Sequence, residues 1–142
     1  MKNNSLIDYL SCILFRVLGP IIRHMPLGFS FFLGRRLGDL AYYCDYRHRA
    51  VAYANSKTAI GEKASPHELR KVVKKFYRHF GQNLIEIFLI PLIDKGYIER
   101  YISIEGFEHI EKGFARGKGI VLVGIHEGSW ELSNIVCANL GF

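Results

Sequence analysis

Apolar positions recur at helical spacing through the first two thirds of the chain, and the pattern changes near residue 100. Over 5–23, Leu6, Leu10, Ile13, Leu14, Val17, Leu18, Ile21 and Ile22 share one side, while Asp8, Ser11 and Arg16 fall mostly on the other. This spacing predicts an amphipathic helix, with Pro20 bending or ending it. A second apolar stretch runs from Leu27 to Leu33 and contains three Phe. From Arg36 to about Ser56 the spacing again predicts a helix, with Leu37, Leu40, Ala41, Tyr43 and Cys44 as its buried set. Gly34 and Gly38 have the GxxxG spacing, but Arg35 and Arg36 stand between them. That favours close helix packing over a transmembrane dimer face. Gly61 is a plausible stop.

Ser65-Pro66-His67-Glu68 has the form of a capping box with proline at the first helical position, so a helix is expected from Pro66 to about Phe80. Leu69, Val72, Val73, Phe76 and Phe80 form its apolar side. Lys71, Lys74, Lys75 and Arg78 line a basic one. Residues 81–93 continue apolar, with Glu86 as their only charge and Pro91 at the end. Beyond Asp94-Lys95-Gly96 the reading becomes strand–helix–strand–helix: 101–104, Gly106 to Arg116, Gly119 to Ile125, and Ser129 to Leu140. The expected fold class is therefore α/β: helices over 1–98, then the opening strand–helix–strand–helix of an α/β domain over 99–142.

Composition narrows the partners. The chain has 142 residues, 49% of them hydrophobic, and a net charge of +6. Residues 1–60 hold eight Lys or Arg against three Asp, so the positive excess lies in the most apolar part. That pairing favours an anionic membrane surface over nucleic acid, for which no reading motif is present. No charge-free run has the roughly 18 apolar residues of an unambiguous span. The expected arrangement is an N-terminal segment lying in the interface with its arginines at headgroup level; two core helices are the alternative. Cys12, Cys44 and Cys137 are far apart and lack metal spacing, so they read as free, mostly buried thiols in a reducing compartment.

The chemistry-bearing stretch is His126-Glu127-Gly128-Ser129-Trp130-Glu131, directly after an apolar run. Five positions on one regular helix would set His126 and Glu131 about 140° apart. The pair therefore needs a break, which Gly128 supplies as a turn and Ser129 as a cap. His126 at a strand end with Glu131 in the next helical turn would make a general base held by a carboxylate, worth roughly 10²–10⁴-fold in rate. Ser129 is better read as a cap than as a nucleophile, and Glu127 is an alternative carboxylate. A structural histidine fits the spacing too.

The segment Gly124–Leu132 resembles the H-x4-(D/E) motif of the bacterial lipid A biosynthesis late acyltransferases, commonly His-x-Gly-Asn-Trp-Glu, with Ser129 in place of Asn. Met25-Pro26-Leu27, Leu33–Gly38, Tyr42–Arg47, Asn55, Phe76–Gly81 and Ile104–Ile110 follow the same family's N-terminal half. The resemblance implies an enzyme on the cytoplasmic face of the bacterial inner membrane. It would move a fatty acyl chain from acyl carrier protein, or coenzyme A, to a hydroxyl of a lipid A precursor, with His126 as base and Glu131 as its partner. Membrane lipid, lipid A precursor and acyl carrier protein are the implied partners; no metal, cofactor or nucleic acid is implied. Family members are about twice as long, so the chain reads as an N-terminal portion. A catalytically inactive membrane-bound remnant or interaction module is the alternative.

Overall fold

The computed structural model describes residues 5–125 and 128–141. All of the regular structure among them is helical, in the order α1 (Ser5–His24), α2 (Leu27–Cys44), α3 (Tyr46–Ile60), α4 (Pro66–Leu89), a 3-10 turn (Ile90–Leu92), α5 (Lys95–Tyr101), α6 (Phe107–Phe114) and α7 (Trp130–Asn139). The chain divides into two compact units, Met1–Leu89 and Ile90–Phe142.

The first unit is organised by small residues. Ser30, Gly34 and Gly38 are the buried positions of α2, and Leu69, Val73, Tyr77, Gly81, Ile85 and Leu89 are those of α4. Both rows step by four, the ridge spacing with which two helices interdigitate. Side chains are nearly excluded from the contact. A β-carbon on Gly34 would lie 2.8 Å from the Gly81 carbonyl oxygen, and one on Gly38 would lie 2.7 Å from Arg78 Cα. The GxxxG spacing thus serves close packing, as expected, with α4 as the partner. The expected buried set of α2 is overturned: Leu37, Leu40, Tyr43 and Cys44 are exposed, because backbone-close packing selects the glycine side.

Ion pairs seal the same contact. Asp39 on α2 accepts from Arg78 Nε at 2.7 Å and Nη2 at 3.1 Å, while Arg36 and Lys74 lie at 3.4 and 4.0 Å. The Arg78 hydrogen bond, helped by the three positive charges, holds the Asp39 carboxyl below the usual carboxylate range.

α1 continues through Pro20 to His24 rather than ending there, and the His24 ring Nδ1 donates to the Pro20 carbonyl at 2.7 Å. Ile22 of α1 is buried with Ile85 and Leu89 of α4, flanked by Leu18, Leu27, Phe31 and Phe88. Each such side chain contributes about 2 kcal/mol. The two stretches expected over 27–56 are one helix to Cys44 and a second from Tyr46. Asp45 makes the break: its carboxylate accepts from the His48 backbone N–H at 3.1 Å and lies 2.7 Å from the His48 ring.

The capping box forms as read. Ser65 donates through N and Oγ to Glu68 at 2.7 and 2.8 Å, and the Glu68 N–H returns a 3.3 Å bond to Ser65 Oγ. The α4 helix then passes Phe80 without a break and ends at Leu89, just ahead of Pro91. Val72, Phe76 and Phe80, expected in a core, are exposed, since the buried row is the one containing Gly81.

The expected α/β layer is not formed. Tyr101 ends helix α5, and no strand or sheet occurs among the described residues. Residues 102–105 and 119–125 lie outside any helix and form no strand, and Val121 and Val123 are 90% and 94% exposed. A strand exists only through its neighbours' hydrogen bonds, so periodicity alone does not make one. The second unit's core is a small cluster of Ile93, Ile98 and Val136, with Ile102, Leu132, Ile135 and Leu140 against it. The Asn139 amide donates to the Ile93 carbonyl at 3.2 Å and ties α7 to the segment after the 3-10 turn.

Candidate functional site

His126 and Glu127 lie outside the described residues. Of the expected break, the turn and the helix start are present, and the strand before them is not. Gly128 has φ of +64°, a left-handed turn that other residues rarely adopt. Ser129 occupies the N-cap position of α7, without a side-chain cap bond, and Glu131 falls in the first turn, half-buried. A carboxylate there also faces the positive end of the helix dipole.

An apolar cavity of about 640 Å³ lies in this second unit. Ile102, Ile104 and Ile110 line one part, Leu122 and Ile125 another, and Trp130 and Val136 a third, with Glu105, Ser133 and Asn134 adding polar groups to the wall. Ile125 immediately precedes His126, and Trp130 immediately precedes Glu131. The size falls in the usual range for small-molecule sites of roughly 300–1,000 Å³, and the lining suits an apolar ligand. Sequence reasoning did not find this cavity, because its walls come from four separate segments. Among the described residues, no cluster of three or more His, Cys, Asp or Glu could hold a metal ion.

The basic side of α4 divides in two. Lys74 and Arg78 engage Asp39 of α2, whereas Lys71 and Lys75 are exposed. Lys74 Nζ also donates to the Tyr43 hydroxyl at 3.0 Å.

A second cavity, of about 540 Å³, opens in the first unit where the end of α2, the start of α3 and the first half of α4 meet. Tyr42, Tyr43, Tyr46, Tyr53, Arg49 and Arg70 line it. Residues 46, 49 and 53 follow helical spacing along α3, and Tyr42 joins them from the end of α2, across the break at Asp45.

α1 presents an apolar surface. Tyr9, Leu10, Leu14, Phe15 and Val17 are each more than half exposed, and Ile13 and Ile21 are exposed to a lesser degree. No helix among the described residues is long and apolar enough to cross a membrane.

The family model described as bacterial lipid A biosynthesis acyltransferase matches residues 2–141. Curated relatives agree. The lipid A biosynthesis lauroyltransferase of Escherichia coli (strain K12) is 31% identical over 112 residues, which are 79% of this chain and 36% of that protein. The lipid A biosynthesis palmitoleoyltransferase of the same organism is 24% identical over the same shares, as is a lipid A biosynthesis acyltransferase of Shigella flexneri. The matched part thus spans little more than a third of the length of these relatives. No solved structure matches the chain. With the family match running from residue 2 to residue 141, this chain belongs to the bacterial lipid A biosynthesis acyltransferases.

Proposed function

We propose that the chain serves the transfer of a fatty acyl chain from acyl carrier protein to a hydroxyl of a lipid A precursor. His126 acts as general base and Glu131 as the carboxylate that orients it. The observation that carries this reading is the family match over residues 2–141, together with relatives named for lauroyl and palmitoleoyl transfer. The acceptor hydroxyl loses its proton to the imidazole as its oxygen attacks the thioester carbonyl. The tetrahedral intermediate then collapses to the ester and expels the thiolate, which takes a proton from the imidazolium to leave as the thiol. Glu131 stabilises the imidazolium through the second ring nitrogen. The apolar cavity lined by Ile125 and Trp130 holds the acyl chain.

The same reading sets the chain on the cytoplasmic face of the inner membrane, with the exposed apolar residues of α1 in the interface and Arg16 at headgroup level. Lys71 and Lys75, exposed on α4, meet the acidic carrier protein.

The test is an acyl-transfer assay of the chain in detergent, with acyl carrier protein thioester as donor and a lipid A precursor as acceptor. His126→Ala and Glu131→Ala are each expected to lower turnover by at least about 100-fold while leaving vesicle binding unchanged. Undiminished turnover in His126→Ala sinks the assignment. One observation favours a second reading, an inactive membrane-bound chain that keeps the motif: the apolar residues Val121, Val123 and Ile125, directly before His126, are exposed to solvent. Absence of turnover in the unaltered chain would establish that reading.

A further inference from the structure

We propose that α3 is a hinged cover for the tyrosine–arginine cavity of the first unit, swinging about Asp45 as a rigid helix. Tyr46, Arg49, Ala50 and Tyr53 of α3 form one wall of that cavity, Tyr42 and Tyr43 of α2 a second, and Arg70 and Val73 of α4 a third. Two of these walls are fixed to each other, because the glycine rows and the Asp39–Arg78 pair hold α2 on α4. The third has no such hold. No residue of α3 is buried, and its half-buried positions beyond Arg49 are Ala52, Tyr53 and Ser56, two of them small. Lifting α3 therefore uncovers little apolar surface.

The polar ties of α3 to the other helices gather at one end. Arg49 Nη1 donates to the Tyr42 carbonyl at 2.8 Å, and its guanidinium carbon sits 5.1 Å from the Tyr42 ring centroid. The hydroxyl of Tyr77, a buried residue of α4, donates to the Asp45 carbonyl at 3.5 Å. From Ala50 to Ile60, among the described residues, the side-chain hydrogen bonds stay inside α3. Ser56 donates to the Ala52 carbonyl at 2.8 Å and Thr58 to the Ala54 carbonyl at 3.1 Å. The helix is thus pinned near residue 45 and loosely held near residue 60.

Asp45 has the make-up of a hinge. It is the single residue between α2 and α3, at φ −95° and ψ 73°, outside the helical region. Its N–H closes α2 on the Ala41 carbonyl at 2.8 Å, its carbonyl opens α3 by accepting from the Arg49 N–H at 3.1 Å, and its carboxylate caps the His48 N–H. Each helix keeps its own bonds when the dihedrals of Asp45 change, the condition under which two rigid elements pivot. At the other end, a turn over 61–64 gives slack before the capping box at Ser65. The 15 residues of α3 make about 22 Å of helix, so a tilt of about 15° carries Ile60 about 6 Å and opens the cavity along Tyr53.

Double electron–electron resonance on the full chain in detergent micelles tests the hinge. The background is Cys12→Ser, Cys44→Ser and Cys137→Ala, with its helical circular dichroism matched to the unaltered chain. Spin labels at Thr58→Cys and Lys75→Cys report α3 against α4, and labels at Arg35→Cys and Lys75→Cys report α2 against α4, all at exposed positions. The first pair is expected to show two populations separated by about 6 Å, and the second a single narrow one. Arg49→Gln, which removes the tie to Tyr42, should raise the ratio of the longer to the shorter population by about threefold or more. Hydrogen exchange of the same variant should leave the α3 amides protected to within about threefold. Absence of a second population in the α3 pair, equal breadth in the two pairs, or a ratio unchanged by Arg49→Gln overturns the proposal. So does loss of α3 protection, which would mean local unfolding in place of a swing. The hinge does not rest on the acyl-transfer reading, so Glu131→Ala leaves both distance distributions unchanged whatever it does to turnover.

Discussion

The two units of this chain are built on different principles. In residues 1–89 the helices α2 and α4 approach so closely that Gly34, Gly38 and Gly81 have no room for a β-carbon, and Asp39 clamps the contact through Arg78. In residues 90–142 a few aliphatic side chains gather around Val136, while Val121 and Val123 stand almost fully exposed. The H-x4-E motif falls, by its place in the chain, within the second unit. The lesson is that the part carrying the best-recognised chemistry is the less tightly packed one, and tight packing marks the scaffold.

Substitutions in the two units test this contrast. The largest effect is expected at Gly38, where a branched side chain must displace the backbone around Tyr77 and Arg78. Gly38→Val should destabilise by about 3 kcal/mol, at the upper end for overpacking. Gly124→Val, at a position with nothing within 4 Å of the added carbon, should stay within about 0.5 kcal/mol. Urea unfolding of both variants in detergent measures the pair, and similar losses would erase the distinction drawn between the units.

Asp39→Asn comes next, at about 1–2 kcal/mol, the usual scale of a charge-assisted hydrogen bond discounted for the partly exposed arginine. Its pH dependence has a definite sign. Arg78 lowers the folded-state value, so the contribution is complete above the ordinary carboxylate range and is lost as pH falls through the depressed value. Acid titration of stability should therefore fall less steeply in Asp39→Asn than in the unaltered chain.

The smallest of these effects is at the start of α4. Ser65→Ala removes the hydroxyl from the capping box and should cost about 1 kcal/mol, measured as a shift in urea midpoint.

Local signals proved legible where local physics suffices. The capping box at Ser65, the end of α4 ahead of Pro91 and the turn at Gly128 all depend on residues a few positions apart. The faces of α2 and α4 were not legible in the same way. A hydrophobicity pattern points to Leu37, Leu40, Phe76 and Phe80 as core, yet these are exposed, because glycine rows allow two backbones to meet and the larger side chains are turned outward. The segments read as strands failed for a related reason: alternation describes a strand's faces, but the partner that makes it a strand lies elsewhere in the fold.

Sequence by itself determined the family, the helical character of residues 5–89, the capping chemistry and the identity of the motif residues His126 and Glu131, since each rests on residue type and short spacing. Packing between segments settled which helix faces are buried, that residues 102–105 and 119–125 form no strand, and that Tyr42, Tyr53, Arg49 and Arg70 surround one cavity. Those outcomes depend on how near two distant backbones can come, a quantity set by volume and contact between segments that no local pattern encodes.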